Sequence, residues 1–186
     1  QAQGIYEEAD GLLGGYAVME NTIRIMGFLN FPVSLAYIIL LFLTVSAFIP
    51  PRKHLVLKVL AVALLDPFAE MVIFFGDPVN MMGALAIFLV YIILFHQGTP
   101  LQKATAVLIF YPIVISVNYL QQNLFGELFV FLSNAPSDTM AWSVETRFFS
   151  AAIWLGSQVC RLLFWIGAYL FARRYKKQIQ SAPVGK

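Results

Sequence analysis

Charged residues are scarce in this sequence of 186 residues, where Asp, Glu, Lys and Arg together make up 12% of the chain. An ordinary soluble domain carries roughly a quarter. Hydrophobic residues make up 60%, and no charged residue occurs from Ile25 to Ile49. About 20 apolar helical residues cross a bilayer core that is roughly 30 Å thick. The sequence therefore excludes a soluble fold and predicts an integral membrane protein with the lipid bilayer as its immediate partner.

Cysteine and histidine are also rare, which excludes several kinds of chemistry. The single cysteine, Cys160, permits no intrachain disulfide and no thiolate metal cluster. His54 and His96 are predicted to be solvated at the inner ends of two spans, without nearby zinc-binding partners and out of reach of Cys160. Motifs for nucleotide binding, zinc-dependent hydrolysis and serine hydrolysis are missing. We expect no catalytic residues, no metal, no cofactor and no enzyme activity in this chain.

Five apolar stretches, separated by short connections rich in Gly, Pro or charge, predict an all-α polytopic membrane bundle. The predicted spans lie near 23–49, 55–75, 79–95, 104–132 and 148–172. The predicted parts of the chain are an acidic N-terminal segment (1–18), the transmembrane bundle (19–175) and a basic cytoplasmic tail (176–186).

Two features of this division leave alternatives open. The segment before Met19 is either a native extracytoplasmic tail or a non-native addition, because Met19 resembles a natural start of translation. The fourth stretch can also be divided into a span and a re-entrant or interfacial helix. A true sixth span would place both tails on one face and remove the charge asymmetry, so we favour five.

The charges are distributed unevenly when alternate connections are assigned to opposite faces. One face receives only basic residues: Arg52, Lys53, Lys58, Lys103, Arg173, Arg174, Lys176, Lys177 and Lys186. The other receives Glu7, Glu8, Asp10, Glu20, Asp77, Glu127, Asp138 and Glu145, with Arg24 and Arg147 as its basic residues. Short basic loops stay in the cytoplasm during insertion. We therefore expect the N-terminus outside and the C-terminus inside a plasma (inner) membrane.

Three ionisable side chains are predicted at bilayer depth, where such groups are costly and face a bundle interior, a partner or a cavity. Asp66 and Arg161 each lie about 11 residues, hence ~16 Å, from the inner end of their helix. Glu70 follows Asp66 by four residues and shares its helical face. We predict a buried ion pair of Asp66, Glu70 and Arg161, which serves either as a packing clamp or as part of a ligand, ion or switching site.

Further polar residues cluster in the predicted outer halves of the helices. Prolines inside the spans, Pro32, Pro67 and Pro112, free backbone carbonyls that such polar groups use. The polar residues form either interhelical hydrogen bonds or a ligand pocket open to the outside. The candidate ligand-binding residues are Asn30, Glu70, Asn118, Gln121, Gln122 and Gln158.

The sequence combines five spans and short connections with a basic exit, Ala172-Arg173-Arg174-Tyr175-Lys176-Lys177-Gln178-Ile179-Gln180. This layout resembles the membrane sensor region of bacterial GHKL-class histidine kinases, which include accessory-gene-regulator-type peptide receptors. The resemblance covers residues 19–180, and the family's signature residues lie in a kinase domain outside these 186 residues. It implies a receptor that detects an extracytoplasmic peptide or small-molecule ligand and signals through its C-terminal helix, as a homodimer or with a partner membrane subunit.

Two other functions remain open from the sequence. A small substrate-binding subunit of a transporter has a suitable length and outward polar cluster, although small-residue docking faces such as Gly83, Ala84 and Ala86 match it only weakly. A membrane peptide-processing enzyme is disfavoured because no histidine is predicted deep in the bundle. We expect no nucleic-acid partner for any of these functions.

Overall fold

The computed structural model describes residues 2–70, 77–133 and 138–181, with side chains over 14–69, 77–133 and 138–176. These residues form an all-helical bundle without β-strands, as predicted. The elements are α1 (Ala2–Phe48), α2 (Leu55–Glu70), α3 (Pro78–Phe95), α4 (Pro100–Ser133), a 3₁₀ turn (Thr139–Ala141) and α5 (Val144–Ser181).

Four of the helices are long and apolar enough to cross a membrane: α1 from Gly14, α3, α4, and α5 as far as Lys176. Their exposed faces carry large apolar side chains such as Phe28 and Phe131, which are 80% and 81% exposed. Such faces suit contact with lipid rather than water. Four such helices are compatible with a multi-pass membrane protein. The second predicted span coincides with α2, which has 16 residues, and its predicted end at 71–75 lies outside the described residues.

The observed helix boundaries differ from the predicted ones mainly by extension. Helix α1 starts at Ala2, so no break separates the N-terminal segment from the first span. Helix α4 is continuous through Pro112, without the interruption that a separate re-entrant helix would need. Asp77 starts α3 by accepting hydrogen bonds from the backbone N–H groups of Val79 and Asn80 at 3.0 and 3.2 Å. A side-chain acceptor of this kind satisfies helix N–H groups that have no intrahelical partner.

Contacts along the helices fix their relative directions. Helices α1 and α5 run parallel, since Glu20 near the start of α1 pairs with Arg147 near the start of α5 at 3.2 Å. Tyr37 and Arg161 meet further along the same two helices. Helices α2, α3 and α4 complete the bundle around a core rich in Phe and Tyr, and the loop 96–99 connects α3 to α4.

The directions of the helices separate the charges onto two ends. We call the end with the loops 49–54 and 96–99 and the last turns of α5 the basic end, and the opposite one the acidic end. The described basic-end residues are Arg52, Lys53, Lys58, Lys103, Arg173, Arg174 and Lys176, and those at the acidic end are Glu20, Arg24, Asp77, Glu127, Asp138, Glu145 and Arg147. The charge asymmetry along the sequence is therefore also an asymmetry of the folded bundle.

The two loops of the basic end are joined by backbone hydrogen bonds. The N–H of Arg52 donates to the carbonyl of Phe95, and the N–H of Gln97 donates to that of Pro50, both at 2.9 Å. Gly98 turns the second loop with a φ of 133°, a conformation that favours glycine. The loops are thereby fixed to one another rather than connected only through their helices.

His96 lies beneath these loops and corrects a prediction. It is fully buried, whereas the sequence predicted a solvated side chain; His54 is exposed, as expected. The ring of His96 packs against Phe42 and Tyr91, with centroids 6.1 and 5.0 Å away. Burial, aided by the positive charge of Lys103, lowers the pKa of His96 to about 4. The pattern of apolar residues around His96 did not show that the next loop folds over it.

Candidate functional site

Arg161 occupies the centre of the contact between α5 and its neighbours and is 4% exposed. Its guanidinium donates to the hydroxyl of Tyr37 at 2.6 Å and to the backbone carbonyl of Ala69 at 3.0 Å. The guanidinium carbon also lies 4.8 Å from the centroid of the Tyr37 ring, within the range of a cation–π interaction. Arg161 thus links α5 to α1 and α2 by contacts that each need its planar, charged head.

A cavity of about 270 Å³, which we call the Asp66 cavity, lies beside this linkage between α1, α2 and α5. Its lining residues are Asn30, Phe31, Ser34, Leu35, Asp66, Trp154 and Gln158. Because Asp66 is exposed and borders the cavity, its carboxylate is accessible from it. The cavity combines an acidic group, amides and a hydroxyl with an apolar and aromatic wall, as small-molecule sites commonly do.

Two amide oxygens at this cavity lack hydrogen-bond partners among the described residues. They are Oδ1 of Asn30 and Oε1 of Gln158, and each atom is buried. Gln158 as a whole is only 2% exposed. A buried acceptor without a partner costs about 1–3 kcal/mol, and such groups in a native structure call for an explanation such as a bound water, an ion or a functional role. Two amide oxygens next to the Asp66 cavity are therefore left without a hydrogen bond among the described residues.

A second cavity, of about 230 Å³ and called the Gln121 cavity, lies between α4 and α5. Trp154 lines both cavities. The amide nitrogen of Gln121 donates to the hydroxyl of Ser157 at 2.8 Å, and Ser157 donates to the carbonyl of Trp154 at 2.7 Å. Oε1 of Gln121 and Nδ2 of the neighbouring Asn118 have no partner among the described residues. Polar groups thus continue from the first cavity across α5 to α4.

The structure divides the predicted site residues into three groups. Asn30 and Gln158 come together with Asp66 at one cavity, Gln121 and Gln122 line the other, and Asn118 is buried on α4 beside them. The side chain of Glu70 lies outside the described residues. Asp66 and Arg161 each take part in further interactions, and a direct ion pair between the two stays a prediction.

The sequence analysis missed several residues of the site, among them Ser34, Tyr37 and Trp154. Spacing was a usable signal for these three. Asn30, Ser34 and Tyr37 follow one another at i, i+4 and i+7, and Trp154, Gln158 and Arg161 do the same. Residues at these intervals share one helical face. Grouping the polar and aromatic residues of α1 and of α5 by the helical face they share would have identified both sets of residues.

The remaining chemistry-bearing groups do not gather at this site. No cluster of His, Cys, Asp and Glu able to hold a metal ion occurs among the residues that the structure describes. Cys160 is exposed on the surface of α5. The Asp66 cavity combines polar groups, one carboxylate and an aromatic wall, and it lies beside the buried Arg161. These groups suit reversible binding of a small molecule that is coupled to the packing of the helices.

Comparisons with protein-family models, with curated proteins and with solved structures gave no match to this chain.

Proposed function

We propose that this protein is a membrane-embedded receptor region that binds an extracytoplasmic ligand in the Asp66 cavity and signals through α5. The observation that carries the proposal is the continuity of α5, which runs without interruption for 38 residues from Val144 to Ser181. At a rise of 1.5 Å per residue it is ~57 Å long, well beyond a bilayer core of about 30 Å. One rigid element therefore connects the cavity with the basic end.

The order of residues along α5 supports signalling in this direction. Trp154 and Gln158 line the cavity, Arg161 follows one turn later, and Lys176 lies ~27 Å beyond Gln158 along the helix. A ligand that binds one packing of α5 better than another shifts the population between the two. The resemblance to kinase sensor regions supports the same assignment, with the exit 173–180 as the connection to an output domain and a homodimer as the expected assembly.

We propose that α2 also crosses the membrane, giving five spans with the acidic end outside and the basic end in the cytoplasm. The basic residues at one end support this orientation. It is tested with Cys160→Ala as background and single cysteines at Lys53 and Val79, which flank α2. A membrane-impermeant maleimide should label Val79→Cys on intact cells and Lys53→Cys only after permeabilisation. Labelling of both from one side would reduce the count to four.

The receptor function is tested by fusing a dimerisation-dependent reporter after Gln180, with zero to four alanines inserted at the junction. Candidate extracytoplasmic peptides and small molecules are then applied. We expect output that varies with the inserted length at a period of about 3.6 residues, because a helix transmits rotation as well as displacement. As a control, Pro-Gly inserted after Ala172 should abolish the dependence.

Reporter output that depends neither on the inserted length nor on the Pro-Gly insertion would contradict the receptor function. Specific uptake of a small ligand together with a partner ATPase, without reporter output, would instead support the transporter subunit.

A further inference from the structure

A groove with a volume of about 340 Å³, which we call the Lys103 groove, lies between α3 and α4 at the basic end. Its apolar wall along the two helices consists of Leu89, Ile92, Ile93, Ala104 and Val107. Leu89, Ile93 and Ala104 are exposed, so the groove opens onto the outer surface of the bundle. In a bundle of membrane-spanning helices, an apolar outer surface contacts lipid.

Lys103 is the charged residue of the lining, and a hydrogen bond holds it there. Its ammonium donates to the backbone carbonyl of Ile93 at 3.2 Å. That carbonyl lies in the last turn of α3, where carbonyls lack intrahelical partners. The N–H of Gln97, which would bond to it in a longer helix, donates to the carbonyl of Pro50 instead. The end of α3 thereby fixes the ammonium at the groove.

The positive charge at the groove is not neutralised by the protein groups described. A lysine ammonium has three donors, and the carbonyl of Ile93 takes one of them. No carboxylate pairs with Lys103 among the described residues. The loop that carries Arg52 and Lys53 is hydrogen-bonded to the end of α3 beside the groove and adds further positive charge. The polar end of the groove therefore offers donors and attracts an anion.

We propose that the Lys103 groove binds an anionic phospholipid, with its phosphate at Lys103 and an acyl chain along α3 and α4. Phosphate oxygens accept charge-assisted hydrogen bonds from ammonium groups, and basic pockets between transmembrane helices bind anionic lipid headgroups. A zwitterionic phospholipid has the phosphate but no net charge, so it binds more weakly. The groove shares no lining residue with the Asp66 cavity, and the inference does not depend on the receptor function.

The size of the groove fits the hydrocarbon of a lipid. An apolar cavity of about 150 Å³ holds benzene, so a volume of about 340 Å³ has room for roughly a dozen carbon atoms. This is enough for the part of the acyl chains next to the headgroup, and the remaining hydrocarbon extends into the bilayer. A soluble anion such as inorganic phosphate would leave the apolar wall uncovered.

The inference is tested by native mass spectrometry of the full chain, released from detergent micelles that contain equal amounts of phosphatidylglycerol and phosphatidylcholine with identical acyl chains. We expect the first bound lipid to be phosphatidylglycerol, preferred at least about fivefold. Excess glycerol 3-phosphate should not displace it. Equal binding of the two lipids would overturn the inference, and so would displacement by glycerol 3-phosphate, which would identify a soluble phosphate compound as the ligand.

Variants of the basic residues test whether Lys103 binds the headgroup. Lys103→Gln should lower the affinity for phosphatidylglycerol about fivefold, whereas Lys103→Arg keeps the charge and should retain most of it. Arg173→Gln removes a charge of the basic end outside the groove and should leave the affinity unchanged. An equal loss in Arg173→Gln would assign the preference to the charge of the whole end and overturn the inference.

A second pair of variants tests the groove without changing any charge. Ala104→Trp places an indole in the groove at an exposed position and should weaken the binding of phosphatidylglycerol. Leu108→Trp adds the same group to α4 at a position that is 76% exposed and outside the lining, and should bind as wild type does. If Ala104→Trp also binds as wild type does, the lipid does not occupy this groove.

Discussion

Buried polar groups have different surroundings at the basic end and towards the acidic end of the bundle. At the basic end, two loops exchange backbone hydrogen bonds, and His96 is packed between Phe42 and Tyr91. Towards the acidic end, the amide oxygens of Asn30 and Gln158 are buried without partners among the described residues, beside a cavity. Nδ1 of His96 and Oγ of Ser46 also lack partners among the described residues, but His96 lies beneath the joined loops, whereas the two amides border a cavity that contains a carboxylate.

The difference assigns separate tasks to the two ends. A region whose loops and rings pack against one another stabilises one arrangement, and departures from the rules of packing and hydrogen bonding concentrate at functional sites. Stability given up at the cavity has to be recovered elsewhere. The aromatic core, with Phe68 stacked on Phe88 at 4.8 Å, is well placed to supply it. Four measurements test whether the basic end stabilises the bundle while the cavity half binds a ligand.

The largest effect is expected at the boundary between the two regions. Arg161→Gln removes the guanidinium that donates to Tyr37 and Ala69 and leaves these two buried acceptors without it, at a cost of about 1–3 kcal/mol for each. The free energy of unfolding in mixed detergent micelles measures the loss, and Arg173→Gln, at an exposed position, serves as the control with a change below about 0.5 kcal/mol.

Double variants show which partner carries the loss. Tyr37→Phe should couple to Arg161→Gln, while the addition of Asp66→Asn should recover part of the loss if the predicted ion pair exists. Strictly additive losses for both combinations would remove Arg161 from its linking role.

The second largest effect is a dependence on pH that belongs to the basic end. Burial keeps His96 neutral, with its pKa lowered to about 4, whereas an unfolded histidine binds a proton near pH 6.5. The contribution is therefore complete above about pH 6.5 and is lost as the pH falls towards 4, on the order of 3 kcal/mol in total. Melting curves between these values should show a steep decline in wild type and in His54→Gln. An equally steep decline in His96→Gln would assign the dependence to other groups.

A third effect tests whether aromatic packing stabilises the bundle. Phe88 is fully buried and lies between Phe68 and Tyr91, with ring centroids 4.8 and 5.7 Å away. Phe88→Ala leaves a cavity and should cost about 2–3 kcal/mol, below the usual range because lipid, unlike water, does not drive the burial. Phe131→Ala, at an 81% exposed position, should change the unfolding free energy very little. Equal losses would mean that the core is not more tightly packed than the lipid-facing surface.

Much of the fold was predictable because its signals are local. Apolar length predicts helices that cross a membrane, and Pro at 50–51, 78 and 100 marks the connections between them. The extension of α1 back to Ala2 was not predicted, since a change in composition does not break a helix that contains no proline before Pro32. The burial of His96 was not predicted either, because it depends on a contact between two loops that are far apart in sequence.

The sequence predicted individual residues of the site but not which of them lie next to each other. Polar residues in apolar helices are unusual enough to be noticed individually, which identified Asn30, Gln158 and Arg161. Which of them meet depends on how α1, α2 and α5 pack against each other, and a single sequence does not show this. Tyr37 and Ser34 were overlooked because hydroxyl groups are common in such helices.

The smallest effect concerns the hydrogen bond across α4 and α5. Interhelical hydrogen bonds in membranes contribute about 0.6 kcal/mol on average and at most about 1.7, so the coupling between Gln121→Leu and Ser157→Ala should lie in this range. Gln121→Leu also removes an acceptor without a partner among the described residues, which offsets part of its loss. Double-mutant cycles of unfolding free energy give the coupling, with Ser143→Ala at the exposed start of α5 in place of Ser157→Ala as the uncoupled comparison. A coupling as large as that of Arg161 with Tyr37 would mean that α4 is held to α5 as firmly as α1 is, and the description of the cavity half as the adaptable part of the bundle would then be wrong.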